Sequence, residues 1–219
     1  IVMRLVGSEM CIRDSLSSLS NKSFSSITFP PPGGFLQATI EGENAILESV
    51  MLGLNENKKT KMICELFCGS GTITLPLLKK PYQIHAFELD KECLKSLDIA
   101  ARKESFGNRV KTNVRDLKNF PLTSDELSKY DAIIVDPPRS GAKLQFLNIA
   151  RSNVSIIVSI SCNVNTFVRD AKILIESNYE LKWVQPIDQF LFSAHVELVA
   201  IFQLKYKNVN KKIYNYKKT

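Results

Sequence analysis

A run of β-branched residues that ends in three polar ones constrains this chain most. Residues 154–163 read VSIIVSISCN, and the apolar part has the length and the composition of a strand buried on both faces. A chain leaves a parallel strand at the carboxyl edge of the sheet, where open α/β sheets gather their functional groups. We therefore expect Ser161, Cys162 and Asn163 at that edge, with Cys162 as a candidate nucleophile held by a rigid strand.

Six more segments favour strands, and helical patterns alternate with them. The other predicted strands are 61–67, 83–89, 109–114, 131–135, 179–186 and 195–205. The first predicted helix starts at 39 or 41 and ends at 54. Three more helices are predicted over 72–78, 90–104 and 166–177. This alternation predicts an α/β fold with a Rossmann-like, doubly wound, mostly parallel seven-stranded sheet. A closing hairpin makes one strand near the edge antiparallel.

Composition excludes several classes of protein. The 219 residues suffice for one domain with its own core, and no apolar run reaches the roughly 18 residues of a membrane span. The five cysteines are odd in number and lack the spacing of metal ligands. We expect a protein of the reducing cytoplasm, without a membrane span, disulfide framework or metal.

The two ends of the chain differ from its middle. Residues 1–15 contain MCIRDS, which resembles the translation of a transposon end used to prepare sequencing libraries, and we predict an assembly scar there. A Ser-rich linker is predicted over 16–29 and one folded domain over 30–204. The tail, 205–219, holds six lysines and no acid, so it supplies most of the net charge of +7. Such a tail binds RNA phosphates or is simply a solvated end.

A glycine turn follows the first predicted strand. The sequence ELFCGSGT places Gly69 and Gly71 between a strand and a helix, where the backbone can approach a ligand closely. Glu88 ends the second predicted strand, seventeen residues after Gly71. An acid at that place holds a ribose in Rossmann-like sites, and the alternative is a helix-capping role.

Further polar groups follow the predicted strands or precede the first helix. Asp116 lies just beyond the third strand. Asp136 and Arg139 belong to DPPRSG, whose two prolines fix a rigid turn that offers both charges to the cleft. In the loop before the first helix, Phe35 and Gln37 offer an aromatic face and an amide, or else Phe35 packs on the core.

The ordered set of motifs carries a family resemblance. It consists of GGFLQAT, ELFCGSGT, AFELD, IIVDPPRSG, IVSISCN, FVRDAKIL and PIDQFLFSAHVELVAIF. The set resembles the catalytic domain of the S-adenosylmethionine-dependent RNA uracil-5-methyltransferases, which make 5-methyluridine in the T-loop of tRNA or in 23S ribosomal RNA. The resemblance covers about residues 30–203. It implies a class I methyltransferase fold, S-adenosylmethionine as cofactor and RNA as partner.

The resemblance also implies roles for individual residues. Cys162 matches the nucleophile and Glu197 of HVE the general base. The residues that match the family's cofactor-lining set are Phe35, Gln37, Gly69, Gly71, Glu88, Asp116 and Asp136. The chemistry adds Arg139 or Asn163 beside the developing enolate oxygen, and Phe190 or Phe192 against the flipped base.

Some features depart from the family. Thr39 stands where members commonly have Asn, and Glu65 where the usual acid is Asp. The OB-like domain and the iron–sulfur cluster of many members are not visible, so we expect an N-terminally truncated catalytic domain. The GGFLQAT form favours 23S rRNA over tRNA. Another class I RNA methyltransferase and a non-catalytic RNA-binding fragment stay open, and the sequence gives no oligomeric state.

Overall fold

The computed structural model describes residues 30–31, 37, 39–57, 59–189 and 195–205. Several sequence predictions lie outside these residues. They are the scar and linker over 1–29, the basic tail beyond 205, and the roles given to Phe35, Phe190 and Phe192.

The described residues form one seven-stranded sheet. Its strands are β1 (Met62–Leu66), β2 (Gln83–Glu88), β3 (Val110–Val114), β4 (Ala132–Val135), β5 (Ile156–Ser161), β6 (Tyr179–Ile187) and β7 (Glu197–Leu204). Their order is β3-β2-β1-β4-β5-β7-β6. The strands β1 to β5 pair in parallel, and β7 lies antiparallel between β5 and β6. The predicted fold class is therefore confirmed.

Six helices connect the strands in this part of the chain. They are α1 (Ile40–Asn55), α2 (Thr74–Leu77), α3 (Lys91–Lys103), α4 (Ser124–Leu127), α5 (Lys143–Ser152) and α6 (Val164–Glu176). Caps set several of their starts, since Thr39, Asp90 and Asn163 each accept backbone N–H groups of the first turn. The cap on Asn163 starts α6 two residues earlier than predicted. The sequence patterns did not predict α4 or α5. Helix α5 ends at Asn153, whose backbone has the left-handed conformation.

The sheet is buried on both faces. One face packs against α1, α2 and α3, and the other against α4, α5 and α6. The central strands β4 and β5 are buried throughout, as an apolar run without alternation indicates. Gly53 allows α1 to lie close to the sheet, because a Cβ there would overlap the side chain of Ile201. Among the described helices, none is both long and apolar enough to cross a bilayer.

Candidate active site

Four acidic or thiol side chains extend one face of the sheet at its carboxyl edge. Each lies two positions from an apolar residue of the core that α1 covers. The pairs are Ile63 and Glu65, Ile134 and Asp136, Ile160 and Cys162, Val199 and Glu197. Because side chains along a strand alternate between the two faces, the four functional groups come to the same side of four adjacent strands.

Cys162 and Glu197 are opposite each other across two antiparallel strands. The register pairs Ser159 with Ala200 and Ser161 with Leu198, so one further step sets Cys162 opposite Glu197. Opposite residues of an antiparallel pair have their Cβ atoms roughly 5 Å apart on the same face. Thirty-five positions of sequence separate the two residues, and the reversed direction of β7 brings them together.

Burial makes the carboxyl groups of this site weak acids. The side chain of Glu197 is buried, and burial raises its pKa to about 7, although a hydrogen bond from Gln189 lowers it. Burial and then the charge of Glu197 raise the pKa of Asp136 to about 7. Burial likewise raises the pKa of Glu65 to about 8, against a 2.7 Å hydrogen bond that the Thr74 hydroxyl donates. The three acids therefore exchange protons near neutral pH.

Gln189 joins the two sides of the site. Its buried Nε2 donates to Gln37 Oε1 at 2.8 Å and to Glu197 Oε2 at 3.2 Å. These two bonds use both hydrogens of the amide nitrogen and orient the Gln37 amide. Gly42 makes room for this contact, since a Cβ there would lie 2.6 Å from the Gln189 Cβ atom. Gln189 thus links the chain before α1 to the first residue of β7.

A cavity of about 260 Å³ lies above the carboxyl ends of β1 and β2. Its lining residues are Gln37, Glu65, Phe67, Cys68, Gly69, Ser70, Thr72, Ile73, Glu88, Asp90, Cys93 and Asp136. The carboxylate of Glu88 accepts the Gly69 N–H at 3.1 Å and the Leu89 N–H at 2.7 Å. Glu88 therefore fixes the glycine turn and still faces the cavity.

The turn after β1 depends on left-handed backbone. Gly69 has φ +53° and Gly71 has φ +86°, as expected for glycine. Phe67 has φ 64°, which is costly for a residue with a side chain and is typical of functional sites. Gly71 does not itself line the cavity: it packs on Leu97, whose Cδ1 would lie 2.4 Å from an added Cβ.

The cavity fits S-adenosylmethionine by the open space at its glycine turn and by its charge. A Cβ on Gly69 would meet no atom within 4 Å, so the open space of the cavity reaches the main chain of the turn. Glu65, Glu88, Asp90 and Asp136 line it, and these acids suit a ligand with a sulfonium and an ammonium group. Glu88 stands where a ribose acid is expected, at the end of β2.

A second cavity, of about 250 Å³, opens on the nucleophile side. It is lined by Arg139, Cys162, Asn163, Val164, Asn165, His195 and Val196. Burial and the charges of Glu197 and Asp136 raise the pKa of the Cys162 thiol, while a hydrogen bond from Arg139 lowers it. The arginine therefore favours the thiolate against two acids that oppose it.

Two predicted site residues are engaged elsewhere. Asp116 lies on the surface after β3, outside the residues that line the cofactor cavity. Its carboxylate accepts the backbone N–H of Lys118 and the side-chain amide of Asn119. Asn163 lines the second cavity, but its Oδ1 caps α6, which leaves its amide NH₂ group for a substrate.

Sequence reasoning missed some residues of the site. It named Gln189 only as part of a loop and gave Phe67 no role. The signal for Gln189 was its place in PIDQF, beside the HVE motif; nothing in the residue type of Phe67 foretells its positive φ. Within the ranges that the structure describes, no group of three His, Cys, Asp or Glu side chains has the arrangement of a metal site. The four cysteines described there are free thiols.

The fold and the cofactor cavity together define a class I, S-adenosylmethionine-dependent methyltransferase. A solved structure of a Pyrococcus abyssi tRNA (uracil-54, C5)-methyltransferase with S-adenosyl-L-homocysteine has the same fold, with a TM-score of 0.70 and 23% identity, over 91% of this chain and 46% of that one. The magnesium protoporphyrin IX methyltransferase of Synechocystis with bound SAM matches at a TM-score of 0.59 and 14% identity, over 75% of this chain and 81% of that one.

The chain belongs to the tRNA (uracil-5-)-methyltransferase family, whose model matches residues 32–205. A protein named an uncharacterized RNA methyltransferase from Agrobacterium fabrum is 45% identical over 174 residues, which are 80% of this chain and 41% of the relative. A similarly named protein from Mesorhizobium japonicum is 46% identical over 78% of this chain and 40% of its own length. The chain thus spans about two-fifths of the curated relatives it matches and corresponds to their catalytic region.

Proposed function

We propose that this chain transfers a methyl group from S-adenosylmethionine to carbon 5 of a uridine in RNA, through a covalent adduct on Cys162. The observation that carries the proposal is the placement of Cys162 opposite Glu197 by the register of β5 and β7. Asp136 and Gln37 line the cofactor cavity, and the charge of Asp136 acts on Cys162. This proximity of a thiol and a carboxyl group to the cofactor cavity supports the proposal.

The reaction explains why a thiol is needed. Carbon 5 of uracil is a weak nucleophile, and addition of the Cys162 thiolate to carbon 6 converts the ring into an enolate whose carbon 5 attacks an electrophile. Burial and two acids make the thiolate of Cys162 a minor form near neutral pH, Arg139 favours it, and the sulfur leaves readily afterwards. The Arg139 guanidinium, which lines the same cavity as Cys162, is the donor for the enolate oxygen.

Glu197 completes the cycle as general base. After methyl transfer, removal of the proton on carbon 5 allows the C6–S bond to break and restores the ring. A pKa of about 7 suits this task, since effective bases titrate near the working pH. Gln189 holds Oε2 of Glu197, and we assign Oε1 as the atom that accepts the proton.

A small set of residues would bind the cofactor. Bound S-adenosylmethionine supplies a methyl group on a sulfonium, which is the electrophile of the reaction. Glu88 and the main chain at Gly69 would hold its ribose and amino-acid parts. Asp136 and Gln37 would face its positive charges.

The proposed substrate is a uridine of 23S rRNA in the cytoplasm. Transfer RNA is the second candidate, because the family and the Pyrococcus abyssi enzyme are both named for tRNA. The methyl-transfer assay therefore uses both RNAs. Mapping of the modified position in each product identifies the uridine.

The test is methyl transfer from radiolabelled S-adenosylmethionine by the purified chain and its Cys162→Ala variant. We expect the variant to lose at least roughly 10³-fold in rate, as for other catalytic nucleophiles, and to bind the cofactor with unchanged affinity. The matched control is Cys64→Ala, which removes a strand thiol from the opposite face of the sheet. Full transfer by Cys162→Ala would refute the proposal; RNA binding without transfer or adduct by the unaltered chain would favour a non-catalytic fragment.

A further inference from the structure

One turn of α6 holds the loop that follows β4. The Thr166 hydroxyl lies 3.2 Å from the Arg139 carbonyl oxygen and 3.1 Å from the Asn163 carbonyl oxygen, so its one hydrogen is shared between the loop and the start of α6. Arg169 Nη2 donates to the Ser140 carbonyl oxygen at 3.1 Å. A last contact, from the Ala142 N–H to the Asp170 carboxylate, spans 3.0 Å. Neighbouring side chains of one helix thus bind the main chain of residues 139–142.

Asp170 is the centre of this contact. Its carboxylate is buried, and Arg169 binds both of its oxygens, at 2.8 and 3.0 Å. A buried carboxylate is costly unless it is paired and fully hydrogen-bonded, so packing alone gives no reason for an acid here. Three donors, two from Arg169 and one from Ala142, meet that requirement.

The loop packs tightly against α6. Gly141 has φ +69°, and a Cβ there would lie 2.4 Å from Arg169 Nη2 and 2.6 Å from Asp170 Oδ2. A side chain at this position would push the loop off the helix. The glycine in DPPRSG and the RD pair in FVRDAKIL are therefore two halves of one contact.

The same helix starts at the candidate nucleophile. Asn163, next to Cys162, caps α6 through the N–H groups of Asn165 and Thr166. The position of α6 is thereby tied to the carboxyl end of β5, and the position of the loop is tied to α6. Arg139 and Cys162 line one cavity as a result.

We infer that Asp170 is a positioning residue: through Arg169 and the main chain of residues 139–142, it holds the Arg139 guanidinium beside the Cys162 sulfur and so sets the reactivity of the thiol. The inference rests on the proposed role of Cys162. It adds a residue on the far side of the loop, away from both cavities.

The charged groups around the sulfur fix the direction of the effect. Arg139 favours the thiolate, Glu197 and Asp136 oppose it, and His195 lines the same cavity. Loss of the arginine's position leaves the two acids unopposed. The apparent pKa of the Cys162 thiol then increases, and the thiolate fraction at pH 7.5 falls.

The experiment measures alkylation of Cys162 by iodoacetamide from pH 6 to 10, resolved by peptide mass spectrometry. The thiolate displaces iodide, so the rate follows the thiolate fraction and needs neither RNA nor methyl transfer. We expect Asp170→Asn to slow the reaction about three- to tenfold at pH 7.5, and by a smaller factor at pH 10, where more of the thiol is ionised in both chains. Arg139→Gln should slow it to a similar extent, and the double variant no further.

Two more variants keep the test decisive. Thr166→Val removes a single hydrogen bond to the loop and should move the rate in the same direction by a smaller factor, even if Asp170→Asn does not fold. Glu176→Gln, in an exposed 3.7 Å pair with Lys172 on the same helix, is the matched control and should change nothing. The proposal is overturned if folded Asp170→Asn or Thr166→Val keeps the thiol pKa of the unaltered chain, or if Asp170→Asn acts equally in the Arg139→Gln background.

The alkylation series and the methyl-transfer assay test different claims. Cys162→Ala tests methyl transfer, whereas the alkylation series tests the environment of the sulfur. If the chain methylates RNA but the Asp170 variants leave the thiol pKa unchanged, only the positioning role of Asp170 is refuted. If the thiol pKa changes as expected but Cys162→Ala still methylates RNA, only the proposed mechanism is refuted.

Discussion

The cofactor side and the nucleophile side of this site are built in different ways. On the cofactor side, a short continuous turn presents main-chain groups, and one acid nineteen positions later fixes it. On the nucleophile side, single side chains arrive from segments far apart; Cys162 and Glu197 are separated by thirty-five positions. The first arrangement depends on local backbone conformation and the second on the order and direction of the strands.

The difference implies that the two sides fail separately. A change in the glycine turn should reduce cofactor binding and leave the thiol as it is. A change around Cys162 and Glu197 should stop the chemistry and leave cofactor binding intact. Gln189 lies between them, and its loss should affect both.

The largest effect is expected for Glu197→Gln. Addition of the thiol survives in this variant and proton removal does not, so turnover should fall by roughly 10³-fold while a covalent RNA complex accumulates. A denaturing gel detects the complex as a shifted band. The double variant with Cys162→Ala should give no band, and absence of the band from Glu197→Gln alone would contradict the assignment of the base.

Gly71→Ala tests the cofactor side. The residue has φ +86°, and its new Cβ would meet Leu97, so we expect more than about tenfold weaker S-adenosylmethionine binding and a loss of roughly 1–3 kcal/mol in stability. Calorimetric titration and urea unfolding measure the two. Alkylation of Cys162 should keep its rate. The control is Gly107→Ala, where the new Cβ faces only a flexible arginine side chain; equal losses in both variants would argue against the turn.

Gln189→Met removes the connection between the sides. Its hydrogen bond lowers the pKa of Glu197, so its loss should raise that pKa and move the acidic limb of the kcat–pH profile to higher pH. We expect kcat near pH 7 to fall about tenfold. Gln185→Met is the matched control, because Gln185 is an exposed glutamine of β6 bonded to the Pro186 carbonyl. A lower kcat with an unmoved limb would limit Gln189 to a structural role.

The smallest effect on turnover is expected for Glu65→Gln, which tests stability. Burial raises the pKa of Glu65 to about 8 in the folded chain, so its contribution is full below the unfolded pKa of 4.5 and is lost as the pH rises to about 8. The unaltered chain should lose on the order of 4 kcal/mol from this group over that range, and the variant should not. Urea unfolding of the unaltered chain and of Glu65→Gln at pH 5.5 and 8.5 measures this difference in stability. Equal decreases in the free energy of unfolding of both chains would contradict the prediction.

Much of the fold followed from patterns along the chain. The buried runs predicted all seven strands, and GSGT predicted the glycine turn between β1 and α2, since these signals are local. The short α4 and the moderately patterned α5 escaped prediction. The role of Asn163 as a cap was visible only once the helix start was known.

The rest could not be predicted from residues alone, because it depends on contacts between distant segments. No local signal joins Gln189 to Gln37, or Asp170 to the DPPRSG loop. The raised pKa values of Glu65, Asp136 and Glu197 come from burial, with repulsion by a neighbouring acid added for Glu65 and Asp136, and both causes exist only after the sheet forms.

The antiparallel strand β7 has a consequence for how such a site can change. In a sheet of parallel strands, only the residues where strands finish reach the functional edge. Because β7 enters the sheet at that edge, the residue where it starts, Glu197, stands beside the residue just past the end of β5. Substitutions at the first position of β7 can replace the proposed proton acceptor and change the charge that acts on the Cys162 thiol, while the register that aligns the two residues stays the same.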